Sequence, residues 1–296
     1  MSYDTISVTP VTPRIGADVE GITLAKSLSN RQVEELHQAL AEHQVLFFRD
    51  QPMDVEAHKR LGRYFGELHI HPNTPGPEGH PEILPIHADA DSKRVSGEYW
   101  HSDVSCDEEP PLGSILYLHT VPSSGGDTLF ASQYAAYDAL SPRMKVYLEG
   151  LTATHSGDQV YRRTNVLVGR DDKGKVFPRA SHPIVRTHPV TRRKALFVNG
   201  HFTTHIDGLP EEEGRALLRF LCKHATREEF QVRFRWLPHS VAFWDNRSVQ
   251  HLAIWDYYPQ VRSGRRVTIR VIGRPEPSID LQRTSPPSPI SQFRRL

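Results

Sequence analysis

Cysteine is scarce in this chain of 296 residues: it has only Cys106 and Cys222, which lie far apart and form no CxxC pair. This pattern is typical of a reduced, cytoplasmic setting. Long hydrophobic runs are missing too, because no apolar stretch approaches the roughly 20 residues that span a bilayer. The first residues, MSYD, lack the basic start and the apolar run of a secretion signal. We therefore expect a cytoplasmic protein with no membrane partner.

An excess of charge of one sign is also absent. The chain has 36 Lys and Arg residues against 35 Asp and Glu residues, and the net charge of +1 gives no overall electrostatic case for binding nucleic acid. Histidine, by contrast, is abundant. With 17 histidines in the chain, metal ligands cannot be chosen by residue type alone.

Hydrophobic periodicity and turn residues divide the chain into many short strands and a few helices. The helices are predicted at 31–43, 54–65, 133–140, 142–150 and 210–224. The strands are predicted at 6–11, 45–49, 83–86, 114–120, 127–130, 151–155, 182–187, 195–199, 231–235, 240–244, 250–254 and 265–272. This order indicates an α+β fold, a double-stranded β-helix (jelly roll) with flanking helices. We expect one domain over 1–273 and a disordered, proline-rich tail over 274–296.

Two long polar segments interrupt this pattern. Residues 73–97 are rich in Pro, Gly, His and Asp and are predicted to form a long loop of the kind that often serves as a lid or binding segment. Residues 158–181 carry six Lys and Arg residues. A solvated loop is the simplest interpretation of this basic run, and the alternative is a mobile cover over an anionic substrate.

The pattern His-x-Asp occurs three times, at His87/Asp89, His101/Asp103 and His205/Asp207. Only the middle pair has aromatic and β-branched neighbours, which indicate a partly buried strand. Side chains of a strand alternate between its faces, so His101 and Asp103 would point to the same side. An imidazole and a carboxylate on one face are two of the three ligands of a non-haem Fe(II) triad. The candidate for the third ligand is His251, from a distant strand.

Six short motifs follow one another along the chain: FGELHIHP at 65–72, WHxDV at 100–104, GGDTL at 125–129, RTHP at 186–189, ALFVN at 195–199 and WDNRxxxH at 244–251. From about residue 6 to residue 273, the chain resembles the taurine dioxygenase family of Fe(II)/2-oxoglutarate oxygenases. This family includes alkylsulfatases and phenoxyalkanoate-herbicide dioxygenases. The resemblance implies an oxidoreductase that uses Fe(II), 2-oxoglutarate and O2, assembled as a homodimer or homotetramer.

The resemblance also implies a role for each matching residue. His101, Asp103 and His251 would bind Fe(II), and Thr128 and Arg262 would hold the distal carboxylate of 2-oxoglutarate. The role of Arg262 also has independent support, because a planar guanidinium suits bidentate capture of a carboxylate. The substrate pocket would be formed by His71, Thr74, Gly97, Val104, Tyr161, Phe202 and Arg266. No side chain is assigned as a catalytic acid or base.

Some of these pocket residues have simpler interpretations without the resemblance. Val104 and Phe202 could be ordinary core residues, and His71 could satisfy a local hydrogen bond.

Three pocket positions depart from taurine dioxygenase. Tyr161 replaces a phenylalanine, Thr74 a tyrosine and Gly97 an asparagine. The last two changes remove bulk, and the third also removes a polar contact near the amine of taurine. We therefore predict hydroxylation next to the acidic group of an anion with a larger or less polar body than taurine, giving succinate and CO2. Sulfonates and sulfate esters are the first candidates. The alternative is a carboxylate such as an aryloxyalkanoate or an N-acyl amino acid.

Three other classes of function remain as alternatives. A metal-dependent hydrolase is one, since two histidines and an aspartate can also hold zinc. A jelly-roll binding protein without catalysis is the second. The third is a nucleic-acid oxygenase, which the near-neutral charge disfavours. Turnover that depends on 2-oxoglutarate distinguishes the predicted enzyme from the first two.

Overall fold

The computed structural model describes residues 3–270 and the backbone of residues 276–277. Within this part of the chain, α-helices α1 to α6 lie at Asn30–His43, Val55–Arg63, Gln133–Asp138, Pro142–Leu148, Asp158–Leu167 and Glu211–Ala225, and a 3-10 turn lies at Glu228–Phe230. Strands β1 to β16 lie at Ser7–Pro10, Ala17–Glu20, Val45–Phe48, Ile83–Ala88, Gly113–Thr120, Thr128–Ser132, Thr152–Ser156, Arg179–Pro183, Val185–Thr187, Lys194–Leu196, Thr203–Ile206, Gln231–Phe234, Ser240–Asp245, Val249–Ala253, Arg262–Ile269 and Glu276–Pro277.

A sandwich of two sheets forms the centre of the fold, as the predicted jelly roll requires. The larger sheet has the order β1-β2-β3-β13-β5-β15-β4, and the sheet opposite has the order β12-β6-β14. Strand β3 shows why its sequence is apolar throughout: Val45 and Phe47 pack between the sheets beside Phe130, whereas Leu46 and Phe48 face the helices. A strand that is buried on both faces reads as a continuous hydrophobic run.

Helices α1 and α2 cover the outer face of the larger sheet. Leu36, Leu40 and Leu61 are buried there against Ile115 and Val267. Burial of each leucine stabilises the fold by about 1.5–3 kcal/mol. The first helix begins at Ser29, whose hydroxyl accepts from the backbone N–H of Gln32, while the Gln32 side chain accepts from the backbone N–H of Ser29. The sandwich is therefore braced on the side away from the smaller sheet.

Two further three-stranded sheets, β11-β7-β8 and β10-β9-β16, join the later helices in a second core. Val185 and Leu196 from these strands pack there with Leu221 from α6 and Ala136 from α3. The acidic first turn and the basic last turn of α6 match the helix dipole, as predicted. No helix in the described part of the chain has the length and apolar character needed to cross a bilayer.

Residues 99–104 and 158–181 differ from the sequence prediction. Residues 99–104 do not form a strand: His101 makes an isolated bridge to His251, and a turn begins at Asp103. The segment 158–181 is not a plain loop, because its first ten residues form helix α5.

The predicted proline-rich tail falls mostly outside the described residues. Within it, the structure describes only the backbone of Glu276 and Pro277, which pairs with strand β9. The predicted disorder over the rest of 274–296 lies outside the described residues.

Candidate metal and 2-oxoglutarate site

The first part of the site is the contact between two distant histidines. His101 and His251 exchange both backbone hydrogen bonds, with N···O distances of 3.1 and 2.9 Å. His251 lies on strand β14, so this bridge fixes His101 at the edge of the smaller sheet. The turn that carries Asp103 is held by Asn246, whose side chain accepts from the N–H of Asp103 at 2.6 Å and donates to its carbonyl oxygen at 2.8 Å. These contacts bring three side chains together without the predicted strand.

The donor atoms of His101, Asp103 and His251 all lie within 4.8 Å of one another. Oδ1 of Asp103 is 3.5 Å from Nε2 of His101 and 3.9 Å from Nε2 of His251. Nδ1 of His101 lies 2.7 Å from the carbonyl oxygen of Tyr99. Because a carbonyl can only accept, the hydrogen lies on Nδ1, which leaves Nε2 for a metal.

The protonation states of the other two donors also suit a metal. Burial, together with His101, holds the pKa of His251 well below its usual range, so this imidazole is neutral. Burial alone raises the pKa of Asp103, but the guanidinium of Arg266 and the two imidazoles outweigh it and hold that pKa well below its usual range. Two imidazoles and one carboxylate, all buried, are the donor set of a non-haem Fe(II) site, and these residues fit the predicted ion.

The side chains around the three donors fix their orientation. Ser114 donates to Oδ2 of Asp103 at 2.7 Å, and Nη1 of Arg266 lies 2.5 Å from Oδ1. The His251 ring packs against Phe130 and Trp244, at centroid distances of 6.0 and 4.6 Å. Among the described residues Nδ1 of His251 has no hydrogen-bond partner, so ring packing positions this side chain.

The other two His-x-Asp pairs lie apart from this site. In each pair the imidazole contacts its own aspartate, and both histidine side chains are about half exposed, at 53% for His87 and 52% for His205. No third donor joins either pair among residues 3–270. Context therefore selected the pair that a third donor joins, although His87 lies on strand β4 and not in the loop expected for it.

A second cationic group, Arg262, lies near the triad at the start of strand β15. Its guanidinium donates from Nε to the carbonyl oxygen of Gly126 at 3.0 Å and from Nη2 to the hydroxyl of Thr128 at 3.3 Å. Trp236 donates to the same hydroxyl at 2.9 Å. Arg262 is only 3% exposed and makes no ion pair within residues 3–270. A buried cation with neutral partners can bind a carboxylate at little further desolvation cost.

One cavity of about 460 Å³ connects the whole constellation. All twelve residues selected from the sequence line it: His71, Thr74, Gly97, His101, Asp103, Val104, Thr128, Tyr161, Phe202, His251, Arg262 and Arg266. Arg262 and Arg266 do share one face of β15, as alternation predicted. The fold thus brings together residues that are up to 195 positions apart in the sequence (71 to 266).

His71 contributes a neutral donor to this cavity. The backbone N–H groups of Asn73 and Thr74 donate to its Nδ1 at 3.1 and 3.0 Å. Burial, followed by repulsion from Arg266, lowers the pKa of His71 to about 3, so the ring is uncharged near neutral pH. Its hydrogen must then lie on Nε2, because Nδ1 accepts. The local hydrogen bond suggested by the sequence is therefore real, and it leaves Nε2–H for a ligand.

The wall opposite these polar groups is apolar. Val104, Tyr161 and Phe202 pack together with Cys106 and Phe177. The hydroxyl of Tyr161 lies 3.8 Å from the sulfur of Cys106 and belongs to this buried cluster. Gly97 has a φ of +86°, and a Cβ there would lie 3.4 Å from Cε1 of His101. A side chain at position 97 would thus be in van der Waals contact with the His101 ring.

Sequence reasoning missed two contributors to the site. His201 lines the cavity between Tyr99 and His101, with ring centroids 5.7 and 5.5 Å away. Its position next to Phe202 was the one available signal. Helix α5 was also missed, although Tyr161 on it had been selected. Its first turn follows Gly157, which provides no side-chain cap, so the usual start signal is absent.

Comparison with known proteins agrees with this geometry. The sequence profile of the family described as "Taurine catabolism dioxygenase TauD, TfdA family" matches residues 7–270. A Schizosaccharomyces pombe protein named for α-ketoglutarate-dependent sulfonate dioxygenase activity is 41% identical over 84% of this chain, which spans 65% of that protein's length. The α-ketoglutarate-dependent sulfate ester dioxygenase of Pseudomonas putida is 36% identical over 89% of both chains.

A solved structure is equally similar. The taurine dioxygenase from Burkholderia xenovorans is 34% identical, covers 90% of this chain and 91% of its own, and superposes with a TM-score of 0.77. The predicted α+β jelly roll is therefore confirmed. The predicted class of enzyme, a 2-oxoglutarate-dependent dioxygenase using Fe(II) and O2, is confirmed at the level of the family. This chain belongs to the TauD/TfdA family of dioxygenases.

Proposed function

We propose that this protein hydroxylates the carbon next to the acidic group of a small sulfonate or sulfate ester, with 2-oxoglutarate and O2 as co-substrates. The observation that carries the proposal is the single cavity that joins the metal donors, Arg262, and the pair Arg266 and His71. In this reaction O2 supplies one oxygen atom to the substrate and one to succinate, and CO2 leaves.

The metal donors are proposed to be His101, Asp103 and His251. Fe(II) held by this set would supply the oxidation of a C–H bond by O2, coupled to decarboxylation of 2-oxoglutarate. Arg262 and the hydroxyl of Thr128 would hold the distal carboxylate of 2-oxoglutarate. They lie on strands of the two opposite sheets, so the sandwich itself sets their separation.

Arg266 and Nε2–H of His71 would bind the acidic group of the substrate. Arg266 already contacts Oδ1 of Asp103, so an anion on its other nitrogens would lie next to the metal. Val104, Tyr161 and Phe202 would contact the body of the substrate and exclude water. Placement of this kind, and not proton transfer by the protein, is the contribution expected of these side chains.

The nature of the acidic group decides the products. Hydroxylation of a carbon that carries a sulfonate or sulfate group gives an unstable adduct, which breaks down to an aldehyde and sulfite or sulfate. The carboxylate alternative is less favoured, because the relatives described above are named for sulfonate and sulfate ester substrates. A larger body than that of taurine is supported by Thr74 and Gly97, which line the cavity with little bulk.

The test is succinate formation with hexyl sulfate, hexanesulfonate, taurine and hexanoate as separate additions, in the presence of Fe(II), 2-oxoglutarate and ascorbate. We expect hexyl sulfate and hexanesulfonate to stimulate succinate formation most, with release of sulfate or sulfite. A set of anions that leaves succinate formation at its basal rate would refute the proposal.

Asp103→Ala should abolish the stimulated turnover. Asp107→Ala is the matched control, because Asp107 contacts His69 and does not line the cavity. Turnover retained by Asp103→Ala would remove this carboxylate from the metal site. Assembly as a homodimer or homotetramer and a cytoplasmic location stay predictions.

A further inference from the structure

Helix α5 forms part of the cavity wall and is tied by one buried pair of side-chain amides to the loop that carries His71. Tyr161 and Thr164 on this helix line the cavity. One turn after Tyr161, Asn165 is fully buried, with 0% of its surface exposed. Its carboxamide forms two hydrogen bonds with the carboxamide of Asn73: Nδ2 of Asn73 donates to Asn165 at 3.1 Å, and Nδ2 of Asn165 donates to Asn73 at 3.0 Å.

Asn73 is held through its backbone as well as its side chain. Its N–H is one of the two donors that fix Nδ1 of His71. Its carbonyl oxygen accepts from Nη1 of Arg170 at 2.6 Å. Every polar group of Asn73 is therefore engaged, and one of these contacts is with the ring proposed to hold the substrate anion. A displacement of Asn73 would move His71 with it.

The segment after α5 closes the network from the other side. The N–H of Arg170 donates to the carbonyl oxygen of Asn165 at 2.8 Å, and Nδ2 of Asn165 also donates to Asp172 at 3.1 Å. Arg162 lies 3.5 Å from Asp172 and pairs with Asp158 on its own helix. If one member of a buried amide pair moves away, its partner is left without a hydrogen bond, which costs free energy. Such a network therefore holds its members in one arrangement.

We propose that Asn73 and Asn165 are positioning residues for substrate binding, which couple the cavity wall on α5 to the hydrogen-bond donor His71. This inference rests on the proposed function, because it assigns the acidic group of the substrate to His71. Neither asparagine side chain needs to touch the substrate. Their effect passes through the His71 ring, whose Nε2–H must point at the anion in one direction to be useful.

The test compares Asn73→Ala, Asn165→Ala and the double variant with hexyl sulfate as substrate. Each single variant should raise KM for hexyl sulfate about tenfold, which corresponds to about 1.4 kcal/mol, the scale of one hydrogen bond. KM for 2-oxoglutarate should stay within about twofold, since Arg262 and Thr128 lie outside the network. The double variant should be no worse than either single variant, because removing both amides leaves neither unsatisfied.

A second readout separates positioning from a general loss of structure. A misplaced substrate should increase the succinate formed per sulfate released, whereas partial unfolding lowers both products together. Val166→Ala is the matched control: it shortens an exposed side chain on the same helix that does not line the cavity, and it should leave KM and the product ratio unchanged. If the alanine variants do not fold, Asn165→Leu, which keeps a similar volume but removes both bonds to Asn73, should raise KM about tenfold.

Three results would overturn the inference: an unchanged KM for hexyl sulfate, an equal rise in KM for 2-oxoglutarate, or the same shift in Val166→Ala. A wild-type protein that forms no succinate with any anion would refute the proposed function instead. In that case the Kd of hexyl sulfate, measured by calorimetry on the same variants, would still test the asparagine pair, with an equal Kd in wild type and variants refuting it.

Discussion

Replacing Arg262 with methionine should weaken the binding of 2-oxoglutarate strongly without destabilising the ligand-free protein. Two charge-assisted hydrogen bonds to a carboxylate contribute about 1.5–3 kcal/mol each, so losing both costs about 4 kcal/mol. This corresponds to roughly a thousandfold increase in Kd. Methionine fills a similar volume, which keeps the change confined to the charge and its hydrogen bonds.

The ligand-free protein, by contrast, should not lose stability when Arg262 is replaced with methionine. Burial lowers the pKa of Arg262 from 12.5 to about 10, which reflects about 3 kcal/mol of cost in keeping the charged form inside the protein. Its hydrogen bonds to Gly126 and Thr128 return about 1 kcal/mol each. Their removal together with the charge should leave the free energy of unfolding unchanged or about 1 kcal/mol higher.

Calorimetry of 2-oxoglutarate binding to the Mn(II)-loaded protein, together with thermal unfolding of the metal-free protein, checks both parts. Arg265→Met is the matched control from the same strand. Its guanidinium contacts the Tyr117 ring and the carbonyl oxygen of Met53 and does not line the cavity. It should leave the Kd of 2-oxoglutarate within about twofold of wild type. A wild-type Kd in Arg262→Met would refute the assignment of this arginine.

Three further outcomes follow from contacts in and near the site. Arg266→Met should raise KM for hexyl sulfate more than tenfold. It should also weaken metal binding, because Arg266 contacts Oδ1 of Asp103. A larger effect on KM for 2-oxoglutarate would show that the roles proposed for Arg262 and Arg266 are exchanged. Tyr161→Phe should change KM and Tm little, since within residues 3–270 the hydroxyl of Tyr161 contacts only the sulfur of Cys106, at 3.8 Å. A clear rise in KM would place that hydroxyl on the substrate. Burial, followed by repulsion from Arg265, lowers the pKa of His58 to about 3. Between pH 6.5 and 3 the unfolded chain therefore binds a proton that the folded chain does not. The free energy of unfolding falls as the pH falls through this range. In urea unfolding, His58→Gln should therefore lose about 2 kcal/mol less stability than wild type between pH 7 and 5. Equal losses in the two proteins would exclude this role for His58.

Local sequence patterns were sufficient to predict the helices and strands that bury a regular hydrophobic face. Strand β3 was recognised because both of its faces are buried, and α1 because an apolar stripe follows a capping serine. The twelve residues that the sequence suggested for the metal, the co-substrate and the substrate all line one cavity. Their identification, however, depended mainly on motif resemblance, since the chain has many histidines and arginines.

The wrong predictions for residues 99–104 and 158–181 share a physical cause. His101 is positioned by backbone hydrogen bonds to a residue 150 positions later, and Asp103 by the side chain of Asn246. No periodicity within the segment itself can report such contacts. Helix α5 turns Tyr161 and Asn165 inward, a face that is half polar because it borders a cavity and an amide pair instead of a hydrophobic core. Its pattern therefore resembled a solvated loop.

The origins of the site residues divide the cavity into two halves with different tolerance for change. Thr128 and His251 lie on paired strands of the smaller sheet, and Arg262 and Arg266 on one strand of the larger sheet. A shift of register in either sheet would turn these side chains to the wrong face, so the metal and 2-oxoglutarate end depends on the sandwich as a whole. Apart from Arg266, the residues proposed to contact the substrate come from segments outside the sandwich: the loops at His71, Thr74 and Gly97, the turn at Phe202 and helix α5. Those segments can change shape without moving a strand, which leaves the contacts between them, and the Asn73–Asn165 pair in particular, to decide where the anion lies.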